Sequence, residues 1–569
     1  MNIDDKVQHP GWGPLRAFLL PLVGYLIYLA GLWGGRPNPA WVLLLFLWAL
    51  AAGGIAWTLA DQRANRLLDW IESRAALLAI CAILFAAAGL MVFSIWQVRN
   101  FAAGAQAEDT AYYSQVLWNT LHGHFLSGNV QQARIYHPAV SSDFALHLSP
   151  FLLFVLLPIY ALSPSALTLL LVRDFLLVVA AWPLFLLVRD RLGGSAGVSA
   201  VILYLANPAV IAQGMEAIYL LHFAPLPFFF ALRAYERERF GAFCIWALIA
   251  LGVREDVSIT LIGFGVLMIF VRRQWNWLAA GFIPAGVWWF FATLVIQPLF
   301  KHAGDSALDA GLAGGQQSPA GAYGVLLSGP AWILDALRKG ALSFLYSLFG
   351  SVALLSCLGW EIALAAPVLV ATVFLGHVYY QGNDPFSRFG LLPACALIGA
   401  AILIVCRLGL KYVGDRRVFS LVLLLLLPST CLLDGARNAV RERLHSYTVE
   451  NDAVALREAL RLIPPAASVA APNYALPALS KRQMLYYIQY FYMYPPSQVD
   501  FFLFDKNLGR ITSLPDLRQH YSDLRDRLSQ SSDYEKIWEK SDYYLLHRKA
   551  GIPVVYAAPS KLQRPATSP

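Results

Sequence analysis

The sequence predicts an α-helical polytopic membrane protein, with about 13 transmembrane helices, that ends in a small C-terminal α/β soluble domain. Three observations predict it. Of 569 residues, 58% are hydrophobic and only 14% are charged, whereas soluble domains carry roughly 25% charge. The apolar residues gather in runs that approach the roughly 20 residues a spanning helix needs. The charge is also uneven: from Asp434 to Pro569 the chain carries 18 basic and 14 acidic residues. A cytosolic enzyme and a disordered chain are both excluded. The net charge of +8 is not a nucleic-acid signal, because the excess basic residues sit in short loops between apolar runs.

Taken in order, the candidate spans are Leu15–Trp33, Ala40–Ala60, Ala75–Trp96, Leu167–Val188, Ala196–Gln213, Leu221–Leu232, Gly241–Val253, Val257–Val271, Asn276–Pro298, Ala341–Leu358, Glu361–Val378, Leu391–Cys406 and Val418–Leu433. Pro150–Leu162 is too short and reads as a helix at the interface or dipping into the membrane. With the N-terminus inside, the five longer inside loops are all basic: Arg63, Arg66 and Arg74; Arg189 and Arg191; Arg233, Arg237 and Arg239; Arg272 and Arg273; Arg407, Lys411, Arg416 and Arg417. The positive-inside rule requires this pattern. It holds only if Pro150–Leu162 does not span, and it then places the tail outside. The chain divides into two N-terminal helices (1–74), a membrane domain (75–433) with long outer loops at 99–149 and 300–340, and an extracytoplasmic α/β domain (434–569).

In the tail, Asn451–Leu462 has helical periodicity, Ser468–Ala471 and Val499–Phe504 read as strands, and Pro477–Lys481 sits in a short helix. Ser513–Gln530 is an amphipathic helix, and Tyr534–Trp538 with Tyr543–His547 forms a closing hairpin. All six cysteines lie in or beside apolar runs, so neither a tail disulfide nor a thiolate metal site is expected.

Polar residues collect on the outer side, where charges at span ends are often functional. Glu108-Asp109 opens a helix that carries Tyr112 and Gln115, and could hold a base or a metal; capping of free N–H groups by Asp109 is the plainer alternative. His137, Asp143 and His147 share a loop, but no fixed ligand spacing marks a metal site. Arg254-Glu255-Asp256 places three consecutive charges in a turn, suited to a phosphate or sugar hydroxyls or simply to a wet hairpin. Arg173-Asp174 lies inside a span, where a charged pair must be matched; a structural ion pair is the alternative. Tyr380, Asp384 and Arg388 suit a sugar or a lipid phosphate, although aromatics also belt the interface.

The segment Asp109–Gln115 with Leu117-Trp118, then His147-Leu148-Ser149-Pro150 and Pro158-Ile159-Tyr160, resembles the membrane-protein family called domain of unknown function 2079. The His222-Phe223 turn, Glu255-Asp256, Ala467–Val469 and Leu479-Ser480-Lys481-Arg482 fit as well. The resemblance runs from about Phe101 onward, with the first two spans as an addition. That family resembles the GT-C glycosyltransferases, among them protein mannosyltransferases and aminoarabinose transferases. The resemblance implies a GT-C-like membrane enzyme of the bacterial inner (plasma) membrane. It would take a polyprenyl-phosphate sugar donor among membrane lipids and serve a glycan, lipid or protein acceptor. No WWD-like motif is present, so protein N-glycosylation is not expected.

On this reading Asp109 is the catalytic base. Arg254 and Arg388 hold the leaving phosphate, with Arg173 in support. Glu108, Gln115, His147, His222, Glu255, Asp256 and Tyr380 shape the substrate site. No cofactor is called for; a divalent metal is compatible but unsupported. The competing classes are a lipid or small-molecule transporter or flippase, and a non-catalytic envelope assembly protein. Transporters tend to place charge at the midplane of repeated halves, whereas this chain gathers it on one face.

Overall fold

The computed structural model describes residues 62–102, 107–130, 147–271, 274–300, 331–336, 355–379, 390–412, 452–488, 499–508 and 515–551, with a few single positions and pairs between 341 and 352. The first two expected spans, Val418–Leu433, Tyr380, Asp384, Arg388, His137 and Asp143 lie outside them.

The membrane part is helical. Helix α1 (Gln62–Arg99) is about 57 Å long at 1.5 Å per residue, so it carries a polar N-terminal extension beyond its apolar stretch. Helix α2 (Ala107–Leu121) is followed by α3 (Leu152–Leu162), α4 (Ala166–Val179), α5 (Ala181–Leu192), α6 (Gly194–Leu205) and α7 (Pro208–Gly214). A short 3-10 turn at Leu220–Phe223 leads into α8 (Pro225–Glu236), α9 (Phe240–Leu251), α10 (Val257–Val271) and α11 (Trp275–Leu299). Helices α12 (Ala366–Tyr379) and α13 (Leu391–Tyr412) complete this part.

Among the described residues three helices are long and apolar enough to cross a membrane: Asp69–Arg99, Ala166–Leu192 and Trp275–Leu299. The bent pair α6–α7 makes a fourth if it counts as one span. The expected span Ala196–Gln213 is thus broken, with a 57° bend. The cause is local. Pro208 cannot continue the ladder of α6, and Asn207 instead caps α7 by accepting from Ala209 N at 3.0 Å. The N-terminus of α6 is capped from a distance: Glu72 on α1 accepts from Ser195 N at 2.8 Å and also from Gly194 N, where a carboxylate suits the helix dipole. Glycine sets the approach of α10 to the turn at Trp360–Leu364: a Cβ at Gly263 would stand 2.1 Å from the Leu364 carbonyl oxygen.

The C-terminal residues form a five-stranded mixed sheet in the order β2-β1-β3-β5-β4. Its strands are β1 (Val469–Ala471), β2 (Leu485–Tyr487), β3 (Phe501–Asp505), β4 (Tyr534–Lys540) and β5 (Tyr543–Arg548). β1 pairs in parallel with β2 and β3, while β5 runs antiparallel to β3 and β4. Helices α14 (Ala453–Arg461), α15 (Leu476–Leu479) and α16 (Pro515–Gln530) accompany it.

Side chains alternate between the two faces, as the pleat requires. Ala470, Tyr486, Phe502, Phe504, Tyr544 and Leu546 pack with Tyr521, Leu524 and Leu528 of α16. Val469, Ala471, Leu485, Phe501, Leu503, Tyr543 and Leu545 join the core that continues into the membrane part. The sheet is therefore seated on the helical body. Ser480 donates to Ser114 on α2 at 2.8 Å, and Ser114 meets the buried Tyr160 hydroxyl at 2.9 Å.

Candidate active site

The helices place their polar residues around one irregular stretch, Met215–Tyr219, between the end of α7 and the 3-10 turn. Irregular backbone among spanning helices has to find its hydrogen bonds within the protein, and named side chains supply them here. Arg173 on α4 is fully buried. It donates to the Gly214 carbonyl at 2.8 Å and to the Glu216 carbonyl. Its other contacts are Asp174 Oδ1, at 2.9 and 2.6 Å, and Ser94 Oγ at 3.1 Å. Ser94 in turn donates to Asp174 Oδ2 at 2.7 Å. All three guanidinium nitrogens are thus engaged by the protein, which gives Arg173–Asp174 the geometry of a structural pair.

His222 is fully buried as well. Its Nδ1 accepts from Tyr219 N at 3.0 Å, so the ring proton sits on Nε2 and reaches Gln213 Oε1 at 2.8 Å. Thr110, next to Asp109 in the first turn of α2, accepts from Ile218 N at 3.1 Å. The stretch is therefore held from α4, α7 and α2 together.

This scaffold presents Tyr219 to the turn between α9 and α10. The Arg254 guanidinium lies 4.6 Å from the centre of the Tyr219 ring, an attractive cation–π geometry. It pairs with Asp256 at 3.0 Å and lies 3.7 Å from Glu255. Glu255 Oε1 is 2.7 Å from His147 Nδ1 and 3.5 Å from Gln297 Nε2. Burial alone would raise the Glu255 carboxyl, but the facing His147 ring and the Arg254 charge hold it below its usual range. Glu255 is therefore ionised at neutral pH.

Two further facts define the site. Arg254 is 6% exposed, and its Nε and Nη1 are buried with no hydrogen-bond partner among the described residues. Glu255 is 4% exposed, and its Oε2 is likewise without a partner among them. Buried polar groups are almost always satisfied, so unfilled donors and an acceptor side by side make this turn the candidate ligand site.

The structure thus brings together His147, Arg254, Glu255 and Asp256; Thr110, the neighbour of Asp109, bonds Ile218 N in the stretch that ends at Tyr219. Asp109 is buried in the first turn of α2, with Glu108 beside it. Gln115 points away from this cluster. It is fully buried, accepts from Asn129 N at 2.8 Å and donates to the Gln483 carbonyl at 2.9 Å. The sequence reading did not single out Tyr219, Gln297 or Thr110. An aromatic in the short stretch between Gly214 and Pro225 was the one local signal for Tyr219. No group of three or more His, Cys, Asp or Glu side chains fit to hold a metal occurs among the described residues.

Residues 105–545 match a family model described as predicted membrane protein (DUF2079). No curated protein matches the sequence. Among solved structures, the chain is similar to ArnT from Cupriavidus metallidurans bound to undecaprenyl phosphate, at 11% identity and a TM-score of 0.46, over 84% of this chain and 99% of that one. It is similar to the apo state of the same protein at 12% identity and a TM-score of 0.34, over 85% and 100%. Likeness of this degree assigns neither substrate nor chemistry to this chain.

Proposed function

The chain belongs to the DUF2079 family of predicted membrane proteins, and we propose that it is a GT-C-type enzyme that moves a sugar from a polyprenyl-phosphate donor to an acceptor at the outer face of the membrane. The observation that carries this reading is the Arg254 guanidinium. It is buried, stacked over Tyr219, and has two nitrogens without acceptors among the described residues. A lipid phosphate is the acceptor that fits: its oxygens make strong charge-assisted bonds with guanidinium N–H groups, and it carries the negative charge that develops as the sugar leaves.

In this reading Asp109 removes the proton of the acceptor hydroxyl. Glu255, ionised and aligned by His147, binds sugar hydroxyls through its open oxygen. Arg173 and His222 act as positioning residues that hold the Met215–Tyr219 stretch. Arg388 and Tyr380 are proposed to complete the donor site. The outer face follows from the basic loops, all of which fall on the opposite side.

A second reading has one observation in its favour. The bent α6–α7 pair and the irregular stretch after it are of the kind that line substrate paths in transporters. Turnover in detergent, where no compartments exist, separates the two readings; binding tests the phosphate site itself. The test is binding of undecaprenyl phosphate to the purified chain, compared with Arg254→Gln. The proposal expects wild-type binding and at least a tenfold loss in the variant, the order of one charge-assisted pair. Equal binding by a folded Arg254→Gln protein would remove the phosphate from this turn.

A further inference from the structure

At the other end of α8 and α9 lies a second charged cluster that sugar transfer does not use. Helix α9 rises about 18 Å between Arg239 and the turn that bears Arg254, so the two clusters sit at opposite ends of the same helices. Arg233 on α8 and Arg237, the residue that caps its C-terminus, both reach Asp190 Oδ2 at the end of α5, Arg233 at 3.4 Å. Arg189 lies 3.6 Å from Asp190 Oδ1. Arg191 turns aside to pair with Glu236 at 3.3 Å, and Glu238 and Arg239 follow in the same turn.

Three guanidiniums therefore share one carboxylate, a surplus of two positive charges. The C-termini of α5 and α8 each offer about half a negative charge, which leaves a surplus of about one. Arg233 Nε is also buried with no hydrogen-bond partner among the described residues. A group with one negative charge and several acceptor oxygens completes this arrangement, and a phosphodiester is such a group. The adjoining wall suits acyl chains. Phe230 stacks on Trp246 at 4.3 Å between α8 and α9, and Phe240, Ile245 and Leu248 are exposed along α9.

We propose that the ends of α5 and α8 form a binding site for the phosphodiester of an anionic glycerophospholipid, in the leaflet opposite the Arg254 turn. A juxtamembrane arginine pocket between helices is the usual form of such recognition. The bland alternative is that these arginines only orient the chain and neutralise helix ends. Orientation, however, needs neither convergence on one carboxylate nor a buried donor without an acceptor.

The test uses the full chain, purified in a neutral detergent and equilibrated with equal amounts of phosphatidylglycerol and phosphatidylcholine. Retained lipid is then measured by mass spectrometry. The wild type should hold phosphatidylglycerol in preference. Arg233→Gln with Arg237→Gln should lower its retention by about fivefold per arginine. Asp190→Asn removes the competing carboxylate and should raise retention, which keeps the proposal testable if the double variant fails to fold. Arg525→Gln with Lys536→Gln, the same charge change on α16 and β4 of the C-terminal unit, should alter nothing.

Equal retention of both lipids by wild type and Asp190→Asn would overturn the site. Displacement of phosphatidylglycerol by millimolar inorganic phosphate would assign it to a soluble anion instead. No sugar transfer enters the readout, so this proposal and that of the outer-face enzyme fail independently.

Discussion

The Gln115 side chain donates to the backbone carbonyl of Gln483 at 2.9 Å, joining α2 to the C-terminal sheet across 368 positions of sequence. Around it, Asn119 reaches the same carbonyl at 3.4 Å, Gln483 meets His124 at 2.9 Å, and Ser480 meets Ser114. The helix that carries Asp109 is thus clamped between the membrane helices and the tail. Gln115→Leu would strand the Asn129 N–H and lose the bond to Gln483. The expected loss is about 1–3 kcal/mol, read as earlier protease release of the C-terminal unit on warming. Unchanged release would show that the apolar contacts alone seat the tail.

Arg173 and Asp174 form a fully buried pair within a spanning helix. Arg173→Met should destabilise the protein by about 3–5 kcal/mol, because it leaves a buried carboxylate uncompensated. The double variant Arg173→Met with Asp174→Leu should recover part of that loss. Full recovery is not expected, since the Gly214 and Glu216 carbonyls would still lack their donor. Thermal unfolding in detergent measures all three proteins. A single variant as stable as wild type would contradict the assignment.

Asp500 links the start of β1 to the end of β5. Its burial would raise its pKa, but donation from Arg548 and from the Ser468 hydroxyl and N–H outweighs this and holds the carboxyl below its ordinary value. A depressed folded value means that the stabilisation is fully present above the unfolded pKa and is lost as pH falls through the folded one. Pepsin release of the C-terminal unit should therefore rise as pH falls below about 4, the ordinary Asp value, and Asp500→Asn should flatten that dependence. Identical profiles would place the acid sensitivity elsewhere.

What the sequence disclosed follows from the range of the forces involved. The Arg173–Asp174 pair was legible because a charge within an apolar run demands a partner, and the nearest was its neighbour. The β4–β5 hairpin was legible from period-two alternation. Strand β2 was not, because Met484–Ile488 is apolar and aromatic on both faces and shows no alternation. The bend at Asn207-Pro208 could have been read from the proline but was masked by the hydropathy on either side. Gln115 read as a site residue because its helix position gives no hint of Gln483, which tertiary packing brings from 368 positions away. Thr110–Ile218 and Arg254–Tyr219 were hidden for the same reason.

The most direct test of the outer-face enzyme is release of polyprenyl phosphate by the purified chain in detergent, supplied with polyprenyl-phosphate-linked glucose, mannose and aminoarabinose in turn, with and without solubilised envelope lipids and glycans as the acceptor pool. Wild type and Asp109→Asn are compared for turnover, donor binding and thermal stability. The account predicts acceptor-dependent release from one of these donors by wild type. Asp109→Asn should bind that donor and melt normally yet turn over about 10²-fold more slowly or worse, the loss of a general base. Release by Asp109→Asn at the wild-type rate, or no release by a wild-type protein that binds none of the donors, would contradict it.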